Sequence, residues 1–154
     1  MSLKLSTGLR NMMLTGTGLQ EAFNDGVIYI YTGSQPIDAD TAVGGQLIGK
    51  VTVNAGAFTF GSPTNGLSFD APVLNVISKA AAEAWSMVAT AAGTAGWFRL
   101  MGNANDALGA STVLPRIDGS IGISGSDLNL ANITFVVSTP LTVDVFQLTY
   151  PASV

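Results

Sequence analysis

The sequence contains no cysteine and no histidine. Disulfides, thiolate nucleophiles and sulfur-ligated metals are thereby excluded, as are catalytic pairs of serine or cysteine with histidine. Charge is also scarce: six basic and ten acidic residues among 154, where soluble proteins carry roughly a quarter. The basic residues Lys4, Arg10, Lys50, Lys79, Arg99 and Arg116 are scattered, and the net charge is −4. A phosphate backbone is bound by clustered Lys and Arg, so no nucleic-acid partner is expected. No apolar run reaches the roughly 18 residues of a membrane span. The smoothest stretch, Ala80 to Ala95, is mostly Ala, Gly and Thr with Glu83 inside it, and no membrane partner is expected. Lys4 and Arg10 are followed by Leu14-Thr-Gly-Thr-Gly18, which is no sustained apolar region. No signal peptide is expected, and the mature chain is expected to start at or near Met1.

What the sequence does have is glycine, 18 residues, and a positive mean hydropathy of +0.43. At 154 residues the chain fits one domain that buries about 70% of its unfolded surface. So few charges cannot keep every face wet, and the composition predicts a part completed by contact with other copies or other proteins.

Helical periodicity occurs once. Leu5, Leu9, Met12 and Met13 fall at i, i+4, i+7 and i+8, one face of a helix with Ser2 or Ser6 as N-cap, ending before Gly16. A second turn is predicted over Leu19 to Phe23, closed by Asn24-Asp25-Gly26. From residue 26 onward, short β-prone runs alternate with Gly, Pro, Asn, Asp and Ser. Strands are predicted over 27–31, 46–53, 57–60, 67–69, 73–77, 83–90, 97–101, 120–123, 128–130, 134–137 and 141–150. The segment Ala89 to Gly96 reads as a hairpin loop between the Trp85 and Trp97 strands. Strands this short and frequent predict an all-β antiparallel sandwich or barrel. The expected domain is 1–154, with 1–24 a helical segment packed on it or on a neighbour.

Two strands are apolar on both faces. Ile28 and Ile30 oppose Val27, Tyr29 and Tyr31, and Phe98 and Leu100 oppose Trp97, Arg99 and Met101. A strand with one wet face alternates apolar with polar. Either the helix or a long loop covers the second face, or it lies in a subunit contact, where Tyr, Trp, Met and Arg are enriched. The interface candidates are therefore Tyr29, Tyr31 and Trp97, joined by Leu5, Leu9, Met12 and Met13 of the helix, which either docks on a neighbour or covers its own sheet. The last strand breaks parity: Leu141, Val143 and Val145 share one face, Phe146, Leu148 and Tyr150 the other. A β-bulge near Val145-Phe146 or burial on both sides accounts for it.

Little else carries chemistry, and no catalytic residue, metal or cofactor is expected. Lys50 and Lys79 lack the Ser-x-x-Lys spacing of a serine–lysine dyad. A carboxylate pair for glycoside hydrolysis is formally available, but Asp25, Asp38, Asp40, Asp106, Asp118 and Asp127 sit in turn-like sequence, where bonding to the local backbone explains them. Asp38-Ala-Asp40-Thr lacks the later Gly and Glu of a calcium loop. Gly16-Thr-Gly18 lacks the Gly-Lys-Ser/Thr of a phosphate loop, and Asn132-Ile-Thr134 is a common glycosylation pattern.

The runs Leu5-Ser-Thr-Gly-Leu-Arg-Asn-Met-Met13 and Phe23-Asn-Asp-Gly-Val-Ile-Tyr-Ile-Tyr-Thr-Gly-Ser-Gln-Pro36 resemble the opening of small virion proteins of tailed bacteriophages. Gly96-Trp-Phe-Arg99, Arg116-Ile-Asp-Gly119 and the tail 141–151 continue the likeness, which covers nearly the whole chain in short pieces. The nearest analogue is the jelly-roll capsid decoration, or cement, protein. The resemblance implies a jelly-roll-like β-sandwich made in the bacterial cytoplasm and placed on the outer capsid surface of the virion. It would bind the major capsid protein, bridge its subunits, form a homo-oligomer and carry no catalytic residues. A tail or baseplate component, or a receptor-binding carbohydrate-binding protein, is the alternative, and a glycan-active enzyme or lectin on the same fold a weaker one.

Overall fold

A computed structural model describes residues 3–150. In chain order they form β1 (Lys4–Leu5), α1 (Thr7–Leu14), α2 (Leu19–Ala22), β2 (Val27–Thr32), β3 (Leu47–Val53), β4 (Val76–Ser78), β5 (Trp85–Val88), β6 (Gly93–Met101), β7 (Arg116–Gly122), β8 (Leu128–Asn129), β9 (Thr134–Phe135), β10 (Pro140–Val143) and β11 (Gln147–Thr149). The chain is all-β with a short N-terminal helix, as its turn-punctuated pattern predicts.

The cap of α1 is Ser6, whose Oγ accepts from Leu9 N at 3.1 Å. The same oxygen donates to Leu114 O at 2.7 Å and accepts from Arg116 N at 2.9 Å. A hydroxyl with one proton and two lone pairs is thereby fully used, and the helix start is tied to β7. Ser2, the other predicted cap, lies outside the described residues. Leu5 precedes the cap and pairs opposite Ile117 in β1, so it is not on the helical face where its spacing put it. Gly8 makes the docking possible, because a Cβ there would lie 2.4 Å from the Val113 carbonyl carbon.

The main sheet runs β1-β7-β6-β2-β3-β5-β10, and β11 and β4 form a separate antiparallel pair. Strand β3 changes partner along its length: Leu47 to Val51 pair with β2, while Thr52 and Val53 pair with β5. The sheet thus wraps around one core, in which Ile28, Ile30, Phe98 and Leu100 meet Trp85, Met87 and Val143 of β5 and β10. Phe146, Leu148 and Ile77 complete it from the β4–β11 side. Because β5 and β6 lie on different parts of the path, 89–96 is not a hairpin loop, and β6 reaches back to Gly93 to pair with β9. Opposite Phe98 stands Gly119, where a Cβ would meet the Phe98 ring at 2.5 Å.

The parity break near residue 145 is neither a bulge nor a strand buried on both faces. The chain leaves β10 after Val143, exposes Val145, and re-enters the core with Phe146 and Leu148 as part of another sheet. The 57–60 run is not a strand either. Its two phenylalanines lie in a loop folded over the second face of the main sheet.

Candidate interaction surfaces

On that second face Val27, Tyr29, Tyr31, Trp97 and Met101 form a second buried cluster, with Val43, Leu47, Phe58, Phe60 and Leu108 packed against it. Tyr31 stacks on Trp97 with centroids 4.7 Å apart, and Tyr29 lies 6.5 Å from Phe60. Loop cover is therefore the reason both faces are apolar. Tyr29, Tyr31 and Trp97, at 4%, 2% and 0% exposure, present no surface to a partner.

Two ion pairs hold the covering loops down. Arg99 Nε and Nη2 donate to the two Asp118 oxygens at 2.7 Å each, and Nη2 also reaches Thr41 O at 2.9 Å. Arg116 Nε and Nη2 donate to Asp106 at 2.7 and 2.6 Å. Both pairs are buried. Planar guanidinium forks suit such bidentate contacts. Asp106 also makes the local turn bond its sequence predicts, accepting from Leu108 N at 2.7 Å, whereas Asp118 is not a turn residue and faces Arg99 in register across β6 and β7. Burial pushes the Asp118 carboxyl above its ordinary value, against the opposing pull of the Arg99 bonds and of the Arg116 and Lys4 charges. Asp38 does act as a turn residue, its oxygen accepting from Asp40 N, Thr41 N and the Thr41 hydroxyl. The hydroxyl bond above all holds its carboxyl below the ordinary range.

Burial also pushes the Tyr31 hydroxyl well above its ordinary value, reinforced by Tyr29 and opposed by Arg99. The folded chain therefore keeps this proton at a pH where the unfolded chain, with a tyrosine value of about 10, releases it. Tyr31's contribution to stability is complete below about pH 10 and is lost as the pH rises beyond it. Urea titrations at stepped alkaline pH are expected to show a steeper loss in the native chain than in Tyr31→Phe. Parallel losses would contradict the assignment.

The exposed apolar surface lies elsewhere. A groove of about 550 Å³ runs between Leu3 and Leu5 on the β1 side, Met13 and Leu14 of α1, and Leu148 and Tyr150 at β11. It continues past Leu19 to Pro72 and Asn75. Leu14 is 86% exposed at its rim. Of the predicted helix candidates, Leu9 is fully buried in the core and Met12 packs partly against it, so the helix covers its own sheet. Only Leu5 and Met13 also line the groove. Beside it the 73–76 turn projects Val73 and Leu74, at 68% and 87% exposure. A second patch, Val88, Val136 and Val137, surrounds the turn into β10, where Ala89 and Thr139 bond. The sheet path ends at β10.

The groove escaped sequence reasoning because Leu14 falls off the helical stripe and Tyr150 is nearly the whole sequence away from it. Leu74 was hidden inside a run read as a strand. Among the described residues no three Asp or Glu side chains gather closely enough to hold a metal, and no helix is long and apolar enough to cross a membrane. Compared with protein-family models, curated proteins and solved structures, the chain matches none.

Proposed function

We propose that the chain is a structural virion protein of a tailed bacteriophage, a capsid decoration or cement protein. It binds the lattice of the major capsid protein on the outside of the head and stabilises it. One observation carries this reading: a charge-poor β body exposes large apolar side chains in several places, among them the groove beside α1 and the valines at β10. A protein that bridges neighbouring lattice subunits needs more than one contact face, and repetition over the lattice multiplies modest contacts into strong retention. The phage-like segments quoted above point the same way.

Cryo-electron microscopy of the virion carrying this chain tests the proposal. Regularly spaced density for it on the outer head is expected. Density confined to the tail would replace this reading with the tail or baseplate one, and specific binding on a glycan array would favour a carbohydrate-binding role.

A further inference from the structure

We propose that two copies of this chain pair through reciprocal seating of the Leu74 turn in the groove between α1 and β11. The turn is a two-residue hairpin loop closed by bonds between Val73 and Val76 in both directions, 2.9 and 3.0 Å. Its central residues Leu74 and Asn75 have φ of 47° and 60°. Such turns favour Asn, Asp or Gly at both places, because a larger side chain is strained at positive φ. Leucine here is strained and at the same time gains nothing from its own chain, being 87% exposed. A strained apolar side chain that its own chain does not use points to a contact outside the molecule.

The groove that fits it is on the same face. Pro72 and Asn75 at the base of the turn line the groove's extension together with Met13, Leu19 and Tyr150. Projection and groove are therefore neighbours, and a two-fold axis between them sets each tip over the other copy's groove. This is the self-complementary arrangement of an isologous dimer. Charge agrees: Arg10 is the one charged residue lining the groove, and the hairpin carries Asp70, while Lys79 at its base spends its ammonium on the Ala80 and Glu83 carbonyls. Neither Arg10 nor Asp70 has an ion-pair partner among the described residues. Pairing occupies the groove, so the dimer turns outward the valine patch of each copy, two contact faces in one particle; it holds whether the chain serves the head or the tail.

Sedimentation velocity of the purified chain over a range of concentrations tests it. A concentration-dependent dimer is expected, and Leu74→Asp should raise its dissociation constant at least about tenfold with an unchanged circular dichroism spectrum. Leu74→Asn, which tolerates positive φ, should weaken the dimer while keeping the fold. Arg10→Glu and Asp70→Arg should each weaken pairing and together recover it. A monomer at all concentrations would overturn the proposal. So would a dimer indifferent to Leu74, association that continues past the dimer, or a charge exchange that fails to recover pairing.

Discussion

Asp118→Ala is expected to lower the unfolding free energy by about 3–5 kcal/mol, the usual cost of leaving a buried charge without its partner. Arg99 is fully buried and spends two of its donors on Asp118. Its remaining bond to Thr41 O anchors the loop that covers Tyr31 and Trp97. The damage should therefore spread: amide exchange in the 36–43 loop should quicken along with global destabilisation. The pair is costly to assemble, since burial alone pushes the Asp118 carboxyl upward. Accordingly Arg99→Met combined with Asp118→Leu should recover most of the loss. Urea denaturation of the three variants measures this cycle. An Asp118→Ala chain within about 1 kcal/mol of the native one would show that the pair is not closed in solution.

Trp97→Ala should cost about as much, roughly 3–5 kcal/mol for a large buried aromatic. The loss removes the stack on Tyr31 and the support that Trp97 gives the Arg99 guanidinium, 5.5 Å above its ring. Near-ultraviolet circular dichroism should lose the signal of the stacked pair. Because the chain's own loops cover Trp97, the destabilisation should be the same at every protein concentration. A penalty that grows with concentration would mean that another copy provides the cover, the alternative that the sequence left open.

Local rules were readable residue by residue. Ser6, the stripe of Leu9, Met12 and Met13, and the halt before Gly16 follow from helix period and capping, and α1 obeys them. The opposed faces of 27–31 and 97–101 were equally legible, since pleat alternation needs no tertiary information. Leu5 was misplaced because a strand residue four positions before Leu9 mimics helical spacing. Phe58 and Phe60 mimic strand alternation in a loop because both dip into one cluster.

What covers a face is decided by residues far apart in sequence, and periodicity does not carry that. The Arg99–Asp118 pair did leave a trace, Arg99 being the lone charge in the apolar run 97–101. Reading Asp118 as a turn residue, on the strength of its neighbour Gly119, concealed it. The groove left no trace, being built from both ends of the chain.

The Ser6 hydroxyl has a further consequence, for the timing of folding. Its partners Leu114 and Arg116 lie 108 and 110 residues downstream. At a synthesis rate of about 5–20 residues per second, they emerge from the ribosome roughly 5–20 s after it. Until then β1 lacks its neighbouring strand, Leu5 lacks Ile117 opposite it, and α1 lacks the Val113–Leu114 backbone against which Gly8 packs. Closure is a late, long-range event in a topology dominated by distant pairings, the kind that folds slowly. The N-terminal segment is therefore among the last parts of the newborn chain to be closed.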